Sequence, residues 1–555
     1  MKFKIFSFLT LCLCCQFAVA QMKAPENWFN LDKQKDNVQG VSTEKAYNGV
    51  LKNMKSQTVV VAVIDSGIDT EHEDLRDVMW VNADEIPGNG KDDDNNGYID
   101  DIHGWNFIGG KNGNVNQDTY EVTRLYAKYK KKYENVDESS LKSKKDKAEY
   151  ALYKEYKEEV ENELKDAEAQ LSQMESTKAL VMGALDELEE TLDGKAINQE
   201  NIDAIGEDVS QNLAIAKRIV GRALAEGEEI ESVDALRSDF AEQIQGGVDY
   251  YSGKLKYAYN PEFNPRTLVG DNYGNSYEKG YGNNDYEGPD AFHGTHVAGI
   301  IGAIRDNGVG MNGVANNVRI MTLRAVPDGD ERDKDVANAI IYAVDNGARI
   351  INMSFGKGFS WDKQAVDKAV KYAKKKDVLL VHAAGNSSLN TDSENNFPTD
   401  YFHKKNGKVK KKPTPNWLEV GALSWKSGED APATFTNYGK SHIDIFAPGV
   451  DIYSTTPDDK YRNANGTSMA SPVVAGVAAV LMSYFPSLSA VQVKEIIMSS
   501  AVKNAQKVKL PGSGELVPFS SLSVTGGVIN VEKACNKAKG IKGKRKVKVI
   551  DLNKA

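Results

Sequence analysis

The sequence predicts an α/β fold, with a mainly parallel β-sheet flanked by helices in three layers and an α-helical hairpin inserted into it. Short apolar runs rich in β-branched residues alternate with amphipathic stretches, which is typical of parallel sheets with helices on both faces. Between residues 119 and 250 the composition changes to Lys, Glu, Ala, Leu and Tyr with a helical period. The chain of 555 residues is long enough for a large core and two or three domains.

Five apolar runs are predicted to form the strands. The first, TVVVAVI at 58–64, stops at the turn 65–67. The helical stretches 334–346 and 363–375 separate later strands, as parallel pairing requires. Functional groups are therefore expected at the carboxyl ends of the strands. The other runs are VRIMTLRAV (318–326), ARIINMSF (348–355), DVLLVHAAGN (377–386) and NWLEVGAL (416–423).

The inserted segment is predicted to be a helical, coiled-coil-like hairpin. A heptad-like stripe covers roughly 40 residues, a second amphipathic stretch follows at 208–226, and the polar run from Gly194 to Asp203 would make the reversal. Two interpretations stay open: a solvated helical surface without a partner, or a role in self-association, substrate gating or folding. The stripe consists of Tyr153, Tyr156, Val160, Leu164, Ala167, Leu171, Met174, Val181, Leu185, Leu188 and Leu192.

The first 20 residues are predicted to be a secretory signal peptide. They contain two early lysines, an apolar run and the small-x-small end 18–20, so the mature chain would begin near Gln21. The signal predicts an exported protein, periplasmic or extracellular. A surface lipoprotein is disfavoured, because the residues before each cysteine of this segment are not small. These cysteines are Cys12, Cys14 and Cys15.

A mature protein would keep only Cys535, so no internal disulfide is expected. The formal net charge of −10 argues against nucleic acid as the main partner. No other apolar run is long enough to predict a membrane span.

Three polar residues stand at predicted element ends. Asp65 ends the first strand, His293 lies in the small-residue motif HGTHVAGIIGA, and Ser468 opens the apolar helix of NANGTSMASPVVAG, where Pro472 tolerates only early positions. A serine hydroxyl becomes a useful nucleophile when a histidine takes its proton and a buried carboxylate orients that histidine. Taken alone, Ser468 could equally be a helix cap.

The motifs DSGID, HGTHVAG and GTSMASP resemble the three catalytic signatures of the subtilisin-like serine proteases (subtilases, peptidase family S8), over about residues 55–110 and 285–500. The resemblance implies that Ser468 is the nucleophile, His293 the general base and then acid, and Asp65 the orienting carboxylate. It implies a secreted serine endopeptidase that hydrolyses peptide bonds in proteins or peptides through an acyl-enzyme. His296, in the same motif, is expected to be structural.

The resemblance also implies the groups around the nucleophile. Asn386, in HAAGN, would donate to the oxyanion of the tetrahedral intermediate. The segment Ser354-Phe355-Gly356 would pair with the substrate backbone as an added strand. Phe355 and the opposite segment would form the pocket walls, whereas the pocket floor has no sequence assignment. The opposite wall is Ala383, Ala384 and Gly385.

The loop GNGKDDDNNGYIDD predicts a calcium site. It begins like an EF-hand loop, with oxygen ligands on alternate residues and Gly97 at the bend, but His103 stands where a bidentate Glu is expected at position twelve. A plain acidic turn is the alternative. The resemblance implies a second site at Asp74 and Asn307, and no organic cofactor is expected. The ligands of the first site would be Asp92, Asp94, Asn96, the Tyr98 carbonyl, Asp100 and Asp101.

The chain departs from familiar subtilases in the spacing of its motifs. Asp65 and His293 are separated by 228 residues, and the helical insertion accounts for most of that gap. We expect the insertion to stand near the substrate cleft and to restrict access. The stretch between the signal and the first strand is too short for a propeptide domain, so the protein folds without one or another segment takes that role. The basic tail from residue 539 is interpreted as a solvated terminus or a processing site.

Two other functions fit the sequence less well. An α/β-hydrolase is disfavoured, because residues 466–470 lack the second glycine of G-x-S-x-G and Asp65 precedes Ser468. A non-catalytic binding or scaffold protein on the same fold is the second alternative. The predicted division is 1–20 signal peptide, 21–54 N-terminal extension, 55–118 first part of the catalytic domain, 119–250 helical insertion, 251–505 remainder of the catalytic domain, and 506–555 C-terminal segment with the basic tail.

Overall fold

The computed structural model describes residues 24–225, 230–402, 409 and 412–545. These residues divide into two compact units. One comprises residues 122–263, and the other comprises residues 24–121 together with 264–545. The predicted signal peptide 1–20 and residues 546–555 of the basic tail lie outside the described residues.

The larger unit is built on a twisted sheet to which nine of the described strands contribute, in the order β12-β15-β9-β8-β7-β6-β1-β5-β2. The pairs within this sheet are parallel except for β12 with β15. The predicted α/β fold is therefore confirmed. The strands are β1 Val59–Asp65, β2 Gly104–Asn106, β3 Gly109–Gly110, β4 Gly113–Asn114, β5 Val318–Arg324, β6 Ile350–Met353, β7 Leu379–Ala383, β8 Trp417–Leu423, β9 Ile445–Pro448, β10 Ile452–Thr456, β11 Lys460–Ala464, β12 Val502–Lys503, β13 Lys507–Lys509, β14 Leu516–Pro518 and β15 Gly527–Val528.

Helices cover both faces of the sheet, because successive side chains of each strand point to opposite faces. In β1, Val61 and Val63 belong to the apolar core under α8 and α11, whereas Ala62 and Ile64 belong to the core under α9 and α10. The helices are α1 Lys33–Asp36, α2 Thr43–Asn48, α3 Glu121–Tyr133, α4 Lys144–Leu192, α5 Gln199–Asp203, α6 Gln211–Ala225, α7 Val233–Gly253, α8 Phe292–Gly302, α9 Asp333–Asp345, α10 Lys363–Lys375, α11 Thr467–Tyr484, α12 Ala490–Ser500 and α13 Val531–Ala538.

Helix α11 is apolar on all sides because it lies inside the larger unit. Among the described residues, α11 alone has the length and hydropathy of a membrane span, and 89% of that window is buried within the protein. This is the environment of a core helix. Its central position also fixes its first turn at the carboxyl edge of the sheet, where it meets β6 and β7.

The terminal segments complete the larger unit. Trp28 and Phe29 are buried in the core shared with α11, and the Trp28 indole Nε1 donates to the carbonyl of Val450 at 3.2 Å. At the other end, β15 pairs with β9 and α13 buries Cys535, which is a free thiol. Segments before β1 and after β9 therefore both contribute to the core that contains α11.

The smaller unit contains more helices than the predicted hairpin. Helix α4 runs for 49 residues, and both α6 and α7 pack against it. The chain does reverse after Leu192, at Asp193 and Gly194, which both have positive φ. The predicted stripe contributes buried positions along α4, and Ala184 joins them. From that stripe the buried residues are Tyr153, Val160, Ala167, Val181, Leu185, Leu188 and Leu192.

Candidate active site

Asp65 and His293 form a hydrogen-bonded pair at the carboxyl end of β1. Asp65 is the last residue of β1, and His293 lies in the first turn of α8 with Nδ1 2.6 Å from Asp65 Oδ1. Helix α8 can approach this closely because residue 294 is glycine: a Cβ at Gly294 would lie 2.1 Å from the carbonyl oxygen of Gly67. A carboxylate can only accept here, so Nδ1 carries the proton and Nε2 is the basic nitrogen.

Opposing effects set the pKa of His293. Burial lowers this pKa, whereas the charge of Asp65, the hydrogen bond to it and the charge of Asp290 raise it. The net result is a pKa above the ordinary value of 6.5. The side chain of Asp65 is 2% exposed and that of His293 is 36% exposed, so the carboxylate is shielded while the imidazole edge faces solvent.

Ser468 lies in the first turn of α11, as the sequence predicts. Its Oγ donates to the carbonyl of Ser354 at 3.1 Å, and the Ser354 hydroxyl donates in turn to the carbonyl of Ser468 at 2.9 Å. That carbonyl is free to accept because Pro472, four residues on, has no N–H. Pro472 therefore lies one turn deeper than expected, and its position supports the link between α11 and the segment after β6.

Asn386 follows β7 and reaches the same helix end. Its Oδ1 accepts from the backbone N–H and the hydroxyl of Thr467, at 2.8 and 2.9 Å. Because these two bonds orient Oδ1 toward Thr467, Nδ2 of the Asn386 amide points away from Thr467 and can donate to another group. Gly385, just before it, has φ of +98°, and a Cβ there would lie 2.5 Å from Asn437 Nδ2, so glycine is required.

The two segments expected to bind substrate lie side by side. Ser354, Phe355 and Gly356 follow β6, and Ala383 to Gly385 close β7 and follow it. Strands β6 and β7 are neighbours in parallel register, with Met353 opposite His382. Both segments therefore emerge at the same edge of the sheet as Asp65.

His296 lies away from this chemistry. It is fully buried, and its Nε2 contacts the backbone carbonyls of Ile452 and Arg462 at 3.1 and 3.0 Å. Burial lowers its pKa to about 4, so the imidazole is neutral near pH 7. These contacts fit the expected structural role.

The acidic loop brings two of its carboxylates close to Glu85, which the sequence analysis did not identify. Asp92, Asp94 and Glu85 each place one oxygen within 4.8 Å of the others. Glu85 precedes the loop and is the third carboxylate of this cluster. No motif spacing identifies Glu85. Its position shortly before an acidic loop is the sequence signal that could have identified it. Gly97 has φ of +99° at the bend, where a non-glycine residue would be strained.

The other expected ligands of this loop have different surroundings. The Asp100 carboxylate accepts from the backbone N–H groups of Asn89 and Gly90, and so points to that turn. Asn96 donates to Asp94 and Asp101 through Nδ2, and its Oδ1 accepts from the Tyr98 N–H. The buried Asp101 also accepts from the Tyr342 hydroxyl at 2.5 Å.

Asp74 and Asn307 meet, with Asn307 Nδ2 donating to Asp74 Oδ1 at 2.7 Å. Asp74 is fully buried, and no hydrogen-bond donor reaches its Oδ2 from the described residues. Burial raises the pKa of Asp74, although hydrogen bonds from Asn307 and Met311 lower it. Burying an ionised carboxylate is costly unless another group pairs with it.

The family profile described as "Subtilase family" matches residues 56–516. This span is most of the chain and contains Asp65, His293 and Ser468. The chain belongs to the subtilase family.

Individual subtilases are similar over shorter lengths. A thermophilic serine proteinase of Bacillus sp. (strain AK1) is 42% identical over 209 residues, which are 37% of this chain and 47% of that protein. Subtilisin DY of Bacillus licheniformis is 38% identical over 213 residues, 38% of this chain and 70% of that protein. The chain therefore spans about half the length of the first relative. The solved prenylagaramide maturation protease PagA has 28% identity and a TM-score of 0.36, covering 45% of this chain and 83% of that chain.

Proposed function

We propose that this subtilase is an exported serine endopeptidase that hydrolyses peptide bonds of proteins through an acyl-enzyme on Ser468. The observation that carries the proposal is the 2.6 Å contact of His293 Nδ1 with the buried carboxylate of Asp65. It fixes the tautomer in which Nε2 accepts a proton. The family, Ser468 at the start of α11 and the adjacent Asn386 support the same function.

In the first half of the reaction, Ser468 Oγ turns from the Ser354 carbonyl and attacks the carbonyl carbon of the scissile bond. His293 Nε2 takes the hydroxyl proton as the C–O bond forms. Asn386 Nδ2 and the Ser468 N–H donate to the oxyanion of the tetrahedral intermediate, at the positive end of α11. The intermediate then expels the amine, which receives its proton from His293 and leaves the acyl ester on Ser468.

In the second half, water attacks the ester while His293 Nε2 takes one of its protons. The new tetrahedral intermediate expels Ser468 Oγ, which regains a proton from His293, and the carboxylic product departs. Asp65 remains ionised and orients His293 throughout. The segments 354–356 and 383–385 would hold the substrate backbone on either side of the residue that precedes the cut.

We also propose that calcium stabilises the larger unit at two places. Glu85, Asp92 and Asp94 offer the hard oxygen ligands that Ca²⁺ prefers, and Asp74 offers a buried carboxylate oxygen that no donor reaches within the part of the chain that the structure describes. A bound calcium ion would supply charge compensation and cross-linking there, away from the peptide chemistry.

Export is proposed from residues 1–20 alone, which lie outside the described residues. The buried free thiol of Cys535 is compatible with it, because the fold of the described residues does not depend on a disulfide. The measurement is N-terminal sequencing of the exported protein, for which we expect a start near Gln21.

The test of the catalytic proposal compares the purified protein with Ser468→Ala on unfolded casein, and labels both with a fluorophosphonate. We expect hydrolysis and labelling of the parent and neither in Ser468→Ala. Ser499→Ala, at an exposed serine of α12, is the matched control and should behave like the parent. A folded parent that neither hydrolyses casein nor takes the label would favour the non-catalytic scaffold instead.

A further inference from the structure

The sheet of the larger unit has a gap at its carboxyl edge where β1 stops. Strand β1 lies between β5 and β6 and ends at Asp65, whose carbonyl accepts from the N–H groups of Ala325 and Val326 at 3.0 and 3.2 Å. Gly67, with φ of +135°, then turns the chain out of the sheet. The segments that follow β5 and β6 therefore flank a gap about one strand wide.

This gap fits the extended backbone of a substrate. Its inner end is at Ser354, because the Ser354 carbonyl lies 3.1 Å from Ser468 Oγ. The residue before the cut would lie opposite Ser354, and each earlier residue would lie one position further along, toward the exposed Gly356. Backbone groups of alternate residues point to the same edge of a strand, so those of Ser354 and Gly356 can both pair with the substrate. Those of Lys357 instead form two hydrogen bonds with Phe397, at 2.8 and 3.0 Å.

The gap is closed directly after Gly356. The side chain of Lys357 is 1% exposed, and its Nζ donates to the carbonyl of Glu331 at 2.6 Å, on the opposite side of the gap. The same Nζ lies 2.6 Å from Glu121 Oε2 and 2.9 Å from Asp333 Oδ1, and both carboxylates are buried. A fourth substrate residue would have to displace a buried ammonium from these partners, which is costly because the carboxylates would lose their counter-charge.

Both sides of this bridge are held in place. Asp333 Oδ2 accepts from the Ser360 hydroxyl and from the Asp362 N–H, each at 2.6 Å. On the far side of the gap, Arg332 makes two hydrogen bonds to the carboxylate of Asp118, at 2.7 and 2.8 Å, and both side chains are buried. Paired hydrogen bonds of this type fix the relative orientation of the two groups. The bridge is therefore much less mobile than an exposed ion pair.

We propose that the buried ion network of Lys357, Glu121 and Asp333 ends the substrate groove after the third residue before the cut. The inference rests on the proposed protease function and adds a length limit to it. Residues further upstream must bend out of the groove, so they contribute nothing to binding of the transition state. The protein would therefore select substrates that can bend three residues before the cut, such as flexible segments or segments close to a chain's N-terminus.

The test measures kcat/KM on acetylated peptide p-nitroanilides that have two to five residues before the cut. The residue at the cut is the one that the protein prefers in casein, and alanines precede it. We expect the third residue to raise kcat/KM at least about fivefold, the effect of one added hydrogen bond, and the fourth and fifth to change it less than about twofold. A fourth residue that raises kcat/KM as much as the third overturns the inference and leaves the protease function standing.

The matched variant combines Lys357→Ala with Glu121→Ala, which opens the bridge and leaves the net charge unchanged. In this variant we expect the fourth residue to raise kcat/KM at least about fivefold, because it gains a place in the groove. Lys374→Ala with Glu495→Ala, at exposed positions, is the control and should keep the length dependence of the parent.

Titration with a fluorophosphonate counts the competent enzyme in each preparation. A titratable double variant that still gains nothing from the fourth residue overturns the assignment of Lys357 as the closing residue. If that variant does not fold, the length series on the parent decides, because it reports the extent of the groove directly. A folded parent that neither takes the label nor cleaves any of the peptides overturns the protease function, and the inference with it.

Discussion

At the scale of single residues, the pair of Asp65 and His293 determines the pH range of the proposed reaction. In that reaction His293 must be neutral to act as the base. Its pKa lies above the ordinary 6.5 although burial lowers it, because Asp65 and the hydrogen bond to it raise it. Protonation on acidification therefore removes the base at a pH higher than for a free histidine. The shift is a consequence of placing the imidazole against a carboxylate that is 2% exposed.

We expect kcat/KM to fall on acidification with an apparent pKa above 6.5. In Asp65→Asn the charge that raises the pKa of His293 is gone while burial remains, so the acid limb should move to lower pH. The rate should fall about 10⁴-fold, as when a triad carboxylate is replaced. The measurement is a kcat/KM profile between about pH 5 and 9.

The control for this profile is Asp84→Asn, an exposed carboxylate that should leave the acid limb in place. A limb that does not move in Asp65→Asn, or one that moves to higher pH, would contradict the assignment of His293 as the base held by Asp65.

At the residue scale, sequence predicts positions best where chemistry imposes a motif. Asp65, His293 and Ser468 lie in such motifs, and the structure places them at a strand end and in the first turns of two helices. Glu85 lies in a stretch without such a pattern. It reaches the acidic loop because its carboxylate accepts from the backbone N–H groups of Asp93 and Asp94.

At the scale of elements, the strands were predictable and the insertion only partly so. Strand β1 and the predicted run 58–64 differ by one residue at each end, because a buried parallel strand needs a continuous apolar run. The second amphipathic stretch, predicted at 208–226, corresponds to α6, whereas α7 was not predicted. Sequence period reports which face of a helix is buried but not how many helices share the core.

Helix α4 offers a direct test of that shared core. Leu188 is fully buried with residues of α6 and α7, whereas Leu180, on the same helix, is 44% exposed. We expect Leu188→Ala to lower the free energy of unfolding of the smaller unit by about 2–5 kcal/mol through a lost contact and a cavity. Leu180→Ala should cost less than about 1 kcal/mol.

The measurement is urea unfolding followed by circular dichroism at 222 nm, in the Ser468→Ala background so that no self-cleavage interferes. Both variants remove the same atoms from the same helix, so helix propensity cancels in the comparison. Equal losses in the two variants would mean that Leu188 is not part of a packed core.

At the scale of the whole molecule, the larger unit contains buried negative charge that a cation would balance. The Asp74 carboxylate has an oxygen without a donor among the described residues, and burial raises its pKa. Glu85, Asp92 and Asp94 converge elsewhere in the same unit. A ligand that binds only the folded state stabilises it by about 2.7 kcal/mol at a hundred times its Kd.

We expect calcium to raise the Tm of Ser468→Ala by several degrees and a chelator to reverse the shift, because the ion binds only the folded sites. Adding Asp92→Asn and Asp94→Asn should remove part of that shift, whereas Asp77→Asn, at an exposed carboxylate, should not. Calorimetric scans with and without calcium make the measurement. A Tm indifferent to calcium in the parent would reject both metal sites.

The central position of β1 has a consequence for the timing of synthesis. Strand β1 is made early, but its sheet neighbours β5 and β6 begin at Val318 and Ile350, and α11 begins later still, at Thr467. A ribosome or an export channel delivers the chain from its N-terminus. Asp65 therefore emerges before His293, and both emerge before Ser468. Such long-range pairing folds slowly. With the proposed reaction at Ser468, the growing chain therefore cannot cleave its own unfinished copies before the start of α11 has emerged.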